Sequence, residues 1–293
     1  NILEATHLKE IQGNYAQNLK TLPSWISQFK TIRTWFLSSS GIQSLPAEIG
    51  QLDSTSWVNL RDNQLKSLPP EIGHLKRLRE LNLAVNQLEA LPPEIGDLSQ
   101  LRKLYLSGNK LKSLPSEINA LKELEILDLN HNQLTSLPKK MDKLDGLVAL
   151  KLSFNNIRSI LPNCLPQSLY ILKLANNQLK YFPDKVQEGE KKLNYFPFLN
   201  ELSLHNNQIT KLPASLGKCP LTHLWLGVNQ LTDLPIEFAS LHKIQYLDLS
   251  NNRLNKIPEC LYKLKTLKRL DLWGNPLRLS EVDKKVLQKA LPN

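Results

Sequence analysis

Two aspartates invite a chemical reading. Asp248 and Asp271 stand 23 residues apart, in the fragments Tyr-Leu-Asp-Leu-Ser and Arg-Leu-Asp-Leu-Trp. On adjacent strands their carboxylates would lie about 5 Å apart, the separation that retaining glycosidases use. The wording Asp-x-Leu recurs at Asp128, however, and no pocket or lid pattern accompanies the pair. His205 and His223 would fall on neighbouring strands but offset by four residues along them. That offset is roughly 13 Å, too far to share a metal. Cys164, Cys219 and Cys260 are odd in number, have no metal-binding spacing and read as free thiols packed under turns. No glycine-rich phosphate loop, HExxH, GxSxG or paired CxxC occurs. No catalytic, cofactor or metal residues are therefore expected.

The elements that must position these residues come from a repeat. Asn63, Asn86, Asn109, Asn132 and Asn155 are each 23 residues apart, and Asn177, Asn207, Asn229, Asn252 and Asn275 continue the series. Ser40 and Gln17 hold the same register upstream, with two steps of 22 residues and one of 30 further on. A fixed leucine-bearing period of this length signifies leucine-rich repeats. In each unit an alternation such as Leu104/Leu106 has period two and reads as a short strand with one face buried. The asparagine that follows can bond turn amides and carbonyls of its own and the neighbouring repeat, making a ladder. Then comes Pro-x-Glu-Ile, as at 46–49, 92–95 and 115–118, where proline suits the first turn of a short helix and glutamate its positive end. Gly50, Gly73 and Gly96 would help that helix to stop. No repeat buries its leucines alone, but stacked repeats share one core.

The expected fold is thus α/β: a right-handed leucine-rich-repeat solenoid, a curved horseshoe with a parallel β-sheet on the concave face and short α or 3-10 helices on the convex face. Residues 1–16, with Ile2, Leu3, Leu8 and Ile11, are expected to cap one end, residues 17–279 to form about eleven or twelve repeats, and residues 280–293 to cap the other. Within that last segment Val282, Val286, Leu287, Ala290 and Leu291 form a helical apolar stripe over 280–291. Residues 184–198 lengthen one unit, and their polar, lysine-rich wording suggests a convex protrusion.

Side chains between the buried leucines should point onto the concave face. The central outward position reads Phe36, Asn59, Asn82, Tyr105, Asp128, Lys151, Lys173, Ser203, Trp225, Asp248 and Asp271, and flanking columns add Trp57, Phe154, Tyr170, Tyr246, Trp273, His131, His205 and His223. Packing of the repeat demands no aromatics there, and large rigid side chains dominate protein interfaces. Two groups emerge as candidate partner-binding residues. One is Phe36, Trp57, Arg79, Arg102 and Tyr105; the other is His223, Trp225, Tyr246, Asp248, Asp271 and Trp273, with His131, Phe154 and Tyr170 between them.

The net charge of +10 is spread rather than gathered, because basic outward residues such as Arg79 and Lys173 are interleaved with acidic ones such as Glu80 and Glu201. That argues against a nucleic-acid track and for, at most, weak attraction to anionic surfaces. With 41% hydrophobic and 22% charged residues the chain can build a core, and no run of eighteen apolar residues crosses a membrane. It begins at Asn1 with neither methionine nor a basic-then-apolar leader, so either a leader has been removed or the chain is part of a longer one.

The units LPPEIGHLKRLRELNLAVNQLEA and LPSEINALKELEILDLNHNQLTS resemble the 23-residue LPxxIxxL class of leucine-rich repeats. That class occurs in secreted or surface proteins of pathogenic bacteria, notably spirochaetes, and in intracellular Ras-group scaffolds. Residues 161–183 resemble the shorter repeats of bacterial type-III effectors, though no ubiquitin-ligase domain follows, and the cysteine-rich caps of animal extracellular repeat receptors are missing. The resemblance implies a bacterial, secreted or surface-exposed monomer that binds a host or environmental protein and acts in virulence. An intracellular, cytoplasmic signalling scaffold is the alternative, and a carbohydrate-binding or carbohydrate-processing protein a remote one. The buried register makes a direct demand: Leu127→Ala should cost about 2–5 kcal/mol in chemical denaturation, as buried leucine truncations do.

Overall fold

The computed structural model describes residues 8–15, 19–162, 164–184, 196–278, 281 and 283. The chain divides into two compact units, Asn1–Leu150 and Lys151–Asn293. The first carries strands β1 (Glu10–Gln12), β2 (Thr34–Phe36), β3 (Trp57–Asn59), β4 (Glu80–Asn82), β5 (Lys103–Tyr105) and β6 (Ile126–Asp128), with β7 (Ala149–Lys151) at its end. The second carries β8 (Ile171–Lys173), β9 (Glu201–Ser203), β10 (His223–Trp225), β11 (Tyr246–Asp248) and β12 (Arg269–Asp271). Within each unit the strands run parallel in chain order. Register aligns the buried residues, Leu81 with Leu104 with Leu127 in the first unit and Leu202 with Leu224 with Leu247 in the second. This is the solenoid of leucine-rich repeats, with strands on one side of the coils and, in most of them, a 3-10 helix on the other; the described residues between β7 and β8 form none.

The aliphatic stripe closes as the period requires. Leu104, Leu106, Leu111, Ile118, Leu121 and Leu124 within one coil are all fully buried. At the corner after the strands from β3 onward, the repeated asparagine joins two coils. Asn86 Nδ2 donates to Leu83 O at 3.0 Å and to Leu60 O of the preceding coil at 2.9 Å, while its Oδ1 accepts the Leu65 amide at 3.0 Å. Asn63, Asn132, Asn177, Asn207, Asn229, Asn252 and Asn275 repeat the arrangement. These groups sit where water cannot replace the bonds, so the ladder removes an otherwise heavy desolvation cost.

The residue before each rung is left-handed: Ser39, Asp62, Val85, His131, Phe154, Asn176, Asn206, Val228 and Asn251 have φ between 50° and 59°, and Gly108 and Gly274 take the same place. The twist turns the chain so that the following asparagine side chain points inward. At Val85 and Val228 it is imposed on β-branched side chains that disfavour it.

Two details differ from the reading of the helices. Proline is at the cap rather than in the first turn: Pro46, Pro92 and Pro115 are extended (ψ 158°, 148° and 149°), and only a second proline, Pro70 or Pro93, enters the helix. The helical glycines do not stop the helix either. Gly50 and Gly73 are buried inside it, and a Cβ there would lie 2.6 and 2.5 Å from the carbonyl oxygens of Glu71 and Glu94 in the next coil. They are glycines because adjacent helices approach that closely. Asn119 occupies the same place where the next helix, Met141–Lys143, is shorter.

The termini and the insertion are only partly within the described residues. β1 lies inside 1–16, so a paired strand already stands where a cap is expected, whereas Ile2, Leu3 and Gln17 lie outside the described residues. In the C-terminal segment Glu281 and Asp283 are helical, and the Tyr262 hydroxyl donates to Asp283 at 2.5 Å; the stripe of Val282, Val286, Leu287, Ala290 and Leu291 is outside. Of the insertion, 185–195 is outside, while its flanks Phe182 and Phe196 are buried together with rings 6.2 Å apart. The three cysteines are buried, and burial pushes the Cys219 and Cys260 thiols up to about 11. Substituting a rung tests the ladder. Asn109→Ala should lower stability in urea by about 3 kcal/mol, since it strands buried carbonyls and an amide, whereas exposed Asn156→Ala should stay within about 0.5 kcal/mol.

Candidate functional site: the open face of the sheet

Each strand is three residues long, so its first and last side chains leave the core while the central one enters it. In the second unit this builds one connected cluster. His223 stacks on Trp225 with rings 5.5 Å apart at 20°, and Tyr246 lies 5.7 Å from Trp225 and 6.2 Å from His223. Lys173 Nζ sits 4.0 Å above the indole of Trp225 and pairs with Glu201 at 2.7 Å. The Arg269 guanidinium lies 5.3 Å from the Tyr246 ring and pairs with Asp271 at 3.2 Å, and the Tyr246 hydroxyl donates to Asp271 at 2.9 Å. Thr222 gives its hydroxyl proton to Asn200 Oδ1 at 2.6 Å and faces His223 Nδ1 at 2.9 Å. A hydroxyl committed to Asn200 can only accept from His223, which leaves the Nε2 of a neutral ring as an acceptor.

Small residues make this geometry possible. In register, Lys173, Ser203 and Trp225 form one row across three strands, and buried Ser203 is short enough for Lys173 to reach over it to the indole. Gly227 plays the same part beside Asp248. A Cβ at Gly227 would meet Asp248 Oδ2 at 2.5 Å, so its absence lets that carboxylate lean across β10 to within 3.6 Å of His205 Nδ1.

The expectation for Asp248 is corrected here. It pairs with Asp271 in register but is only 7% exposed, and its Oδ1 accepts the Ser250 amide at 2.9 Å and the Ser250 hydroxyl at 2.6 Å. It closes a turn at the end of its strand, as Asn59, Asn82 and Asp128 do with the amides of Arg61, Ala84 and Asn130. Asp128 and Ser203, in the same outward column, are likewise covered and buried. Asp248 and Asp271 are therefore not an open pair of carboxylates. His131 and Phe154, placed in strand-flanking columns from the sequence, stand instead at the left-handed corner before the rungs Asn132 and Asn155, exposed at the margin of the sheet.

The first unit carries a simpler group. Phe36 and Trp57 meet edge to face with rings 4.7 Å apart, and Trp57 is exposed. Tyr105 is half-buried on β5, and burial followed by the charge of Glu80 raises its phenol. Lys103 pairs with Glu80 at 3.3 Å, whose hydrogen bond and charge raise the lysine, and Arg102 pairs with Glu125 at 3.5 Å. Arg79, Arg102, Tyr170 and Trp273 are exposed, and His223, Trp225, Tyr246 and Asp271 half-buried. Sequence reasoning omitted Lys173, Glu201, His205 and Arg269 from the site. The available signal was a small residue between two large ones in a row. Among the described residues no cluster of three or more His, Cys, Asp or Glu side chains could hold a metal, and no helix is long and apolar enough to cross a membrane.

Stacked parallel coils with an open sheet face are typically a repeat-built, non-enzymatic binding scaffold. The patterns described as "Leucine-rich repeat region" and "Leucine rich repeat" match residues 87–188 and residues 53–111, 197–254 and 219–277. A leucine-rich repeat protein of Leptospira interrogans is 30% identical, with 99% of this chain and 96% of that one covered at a TM-score of 0.54. The chain belongs to the leucine-rich repeat family. Human Podocan-like protein 1 is 38% identical over 120 residues, 39% of this chain but 21% of its own length. The curated relatives are thus longer than the matched part: this chain spans about a fifth of Podocan-like protein 1 and 32% of chicken lumican. The plant peptide hormone receptor RGFR1, solved in complex with RGF2, is 29% identical with a TM-score of 0.79, covering 94% of this chain and 45% of the receptor. Leucine-rich repeat proteins generally mediate protein–protein interactions.

The Tyr246 phenol carries a measurable mark of the cluster. Burial, then the Asp271 hydrogen bond, pushes it up to about 12 from an ordinary value of 10.0. A raised acid favours the neutral form in the fold, so this contribution to stability is complete below pH 10 and is lost as pH rises towards 12. The ultraviolet difference titration of wild type against Tyr246→Phe should show one phenol ionising near 12, and a midpoint near 10 would deny the contact.

Proposed function

We propose that this chain is a bacterial protein, secreted or held at the cell surface, that binds a host protein through the open face of its sheet. The supporting observation is the set of solvent-facing aromatics on that face and at its margins. Trp273 is 66% exposed, and Trp57, Tyr170 and Phe154 are exposed as well, although nothing in the repeat requires large apolar side chains there. Such side chains lose little conformational freedom on binding and cover much area. The His223–Trp225–Tyr246 stack is held by its own lysine, arginine and carboxylates, so its geometry is set before a partner arrives. The bacterial assignment rests on likeness to the Leptospira protein over nearly the whole chain, and the protein-binding one on the family and on likeness to a receptor solved with its ligand.

The partner surface is assigned to Phe36, Trp57, Arg79, Arg102 and Tyr105 in the first unit and to His223, Trp225, Tyr246, Asp271 and Trp273 in the second. Tyr170, His131 and Phe154 are placed at the margins, and Asp248 shapes the face from beneath. The immobilised chain should capture a defined protein from host serum or cell extract. Calorimetry with that purified protein should then show Trp225→Ala/Tyr246→Ala weakening affinity by about tenfold or more, the scale of lost aromatic anchors, with little change in Tm. Equal affinity of variant and wild type would remove the second-unit group from the surface.

A further inference from the structure

At the edge of the sheet in the first unit, the residues just before the strands form a row: Arg33 before β2, Ser56 before β3, Arg79 before β4 and Arg102 before β5. The row is held by the backbone. Arg33 O accepts the Ser56 and Trp57 amides at 2.8 and 3.0 Å, and Arg79 O accepts those of Arg102 and Lys103 at 2.8 and 3.0 Å. Its spacing is that of paired strands, about 4.8 Å, so Arg33 and Arg79 start about 10 Å apart and Arg79 and Arg102 about 5 Å apart.

All three arginines are exposed, and the first acid in the row is Glu125 before β6, which pairs with Arg102 at 3.5 Å across open solvent. Among the described residues Arg33 and Arg79 make no side-chain hydrogen bond or ion pair. The second unit is different, because Lys173 and Arg269 are engaged by Glu201 and Asp271 and by the rings of Trp225 and Tyr246. Like charges one or two strands apart repel, and an anion laid between them removes that repulsion. Guanidinium groups suit carboxylates in particular, which they hold through two parallel hydrogen bonds. Beside the row stands the edge-to-face step of Phe36 and exposed Trp57, which favours a chain that also carries apolar side chains.

We infer that this edge takes an acidic peptide segment of a protein partner, with two carboxylates held by Arg33 and Arg79 and an apolar side chain resting on Phe36 and Trp57. A polyproline-II segment fits the spacing: it advances about 3.1 Å per residue with three residues per turn, so acids at positions i and i+3 lie on one side about 9 Å apart. The inference rests on the reading that the open face binds protein, and it names the chemistry of one part of that face.

The test uses a labelled peptide of Glu-Pro-Phe repeats and its Gln-Pro-Phe counterpart, titrated with the whole chain by fluorescence anisotropy at low and high salt. The Glu peptide should bind about tenfold or more tighter, with the preference shrinking as salt screens the charges. Arg33→Gln/Arg79→Gln should abolish the preference without lowering Tm, and Lys268→Gln in the second unit should leave it intact. Equal affinity for the two peptides, an undiminished preference in the double variant, or binding of a sulfated polysaccharide with none of the Glu peptide overturns the inference. Capture of a protein that depends on Trp225 and Tyr246, alongside no arginine-dependent peptide binding, would leave the proposed function standing and remove this inference alone. Arginine-dependent peptide binding supports it even if no protein is captured.

Discussion

The fold depends on the backbone groups at the corner where each strand ends. A coil that turns every 23 residues must bury carbonyls and amides that no regular helix or sheet can satisfy there. One asparagine per coil meets that need by donating to two carbonyls and accepting one amide, and a left-handed residue just before it aims the side chain inward. Leucine burial supplies the driving force, but without the rungs each coil would close over unpaired polar groups. The contacts of a rung reach only the adjacent coil, so the units are built from nearest-neighbour links.

Because the corners and the leucines carry the fold, the first and last residues of each strand are released from structural duty. The two units use that freedom differently. In the second, cations are absorbed internally, one over an indole and one beside a phenol, and the result is a fixed aromatic platform with its charges already matched. In the first, arginines at the strand starts are left facing solvent beside a smaller aromatic step. A family defined by its packing can thus present surfaces of quite different chemistry.

Much of this was legible in the residues. The period announced the strands, the ladder and the parallel order, because a buried asparagine at fixed spacing has few other places to put its bonds. The exposed aromatics followed from alternation around buried leucines. Asp248 was misread because alternation gives the direction of a side chain and not its burial. A short carboxylate can fold back onto the amide two residues ahead and be covered by larger neighbours, as Asp128 also is. The glycines of the helices were misread for a related reason. Their constraint comes from a carbonyl in the next coil, a contact about 21 residues away in sequence that no local rule sees. The bonds of Lys173 over Ser203 were hidden likewise, since they depend on which residue is small in the strand between.

The step between Asn177 and Asn207 spans 30 residues instead of the usual 23, yet both rungs keep their bonds: Asn207 reaches Leu174 O at 3.0 Å and takes the Leu179 amide at 3.0 Å. Added length has been absorbed between corners, and the corners themselves have not moved. Variation in such a chain is therefore quantised in an unusual way. Whole coils can be duplicated or lost, and the stretch between one corner and the next strand can grow, but a single residue gained between a strand and its asparagine would throw every later bond of that coil out of phase.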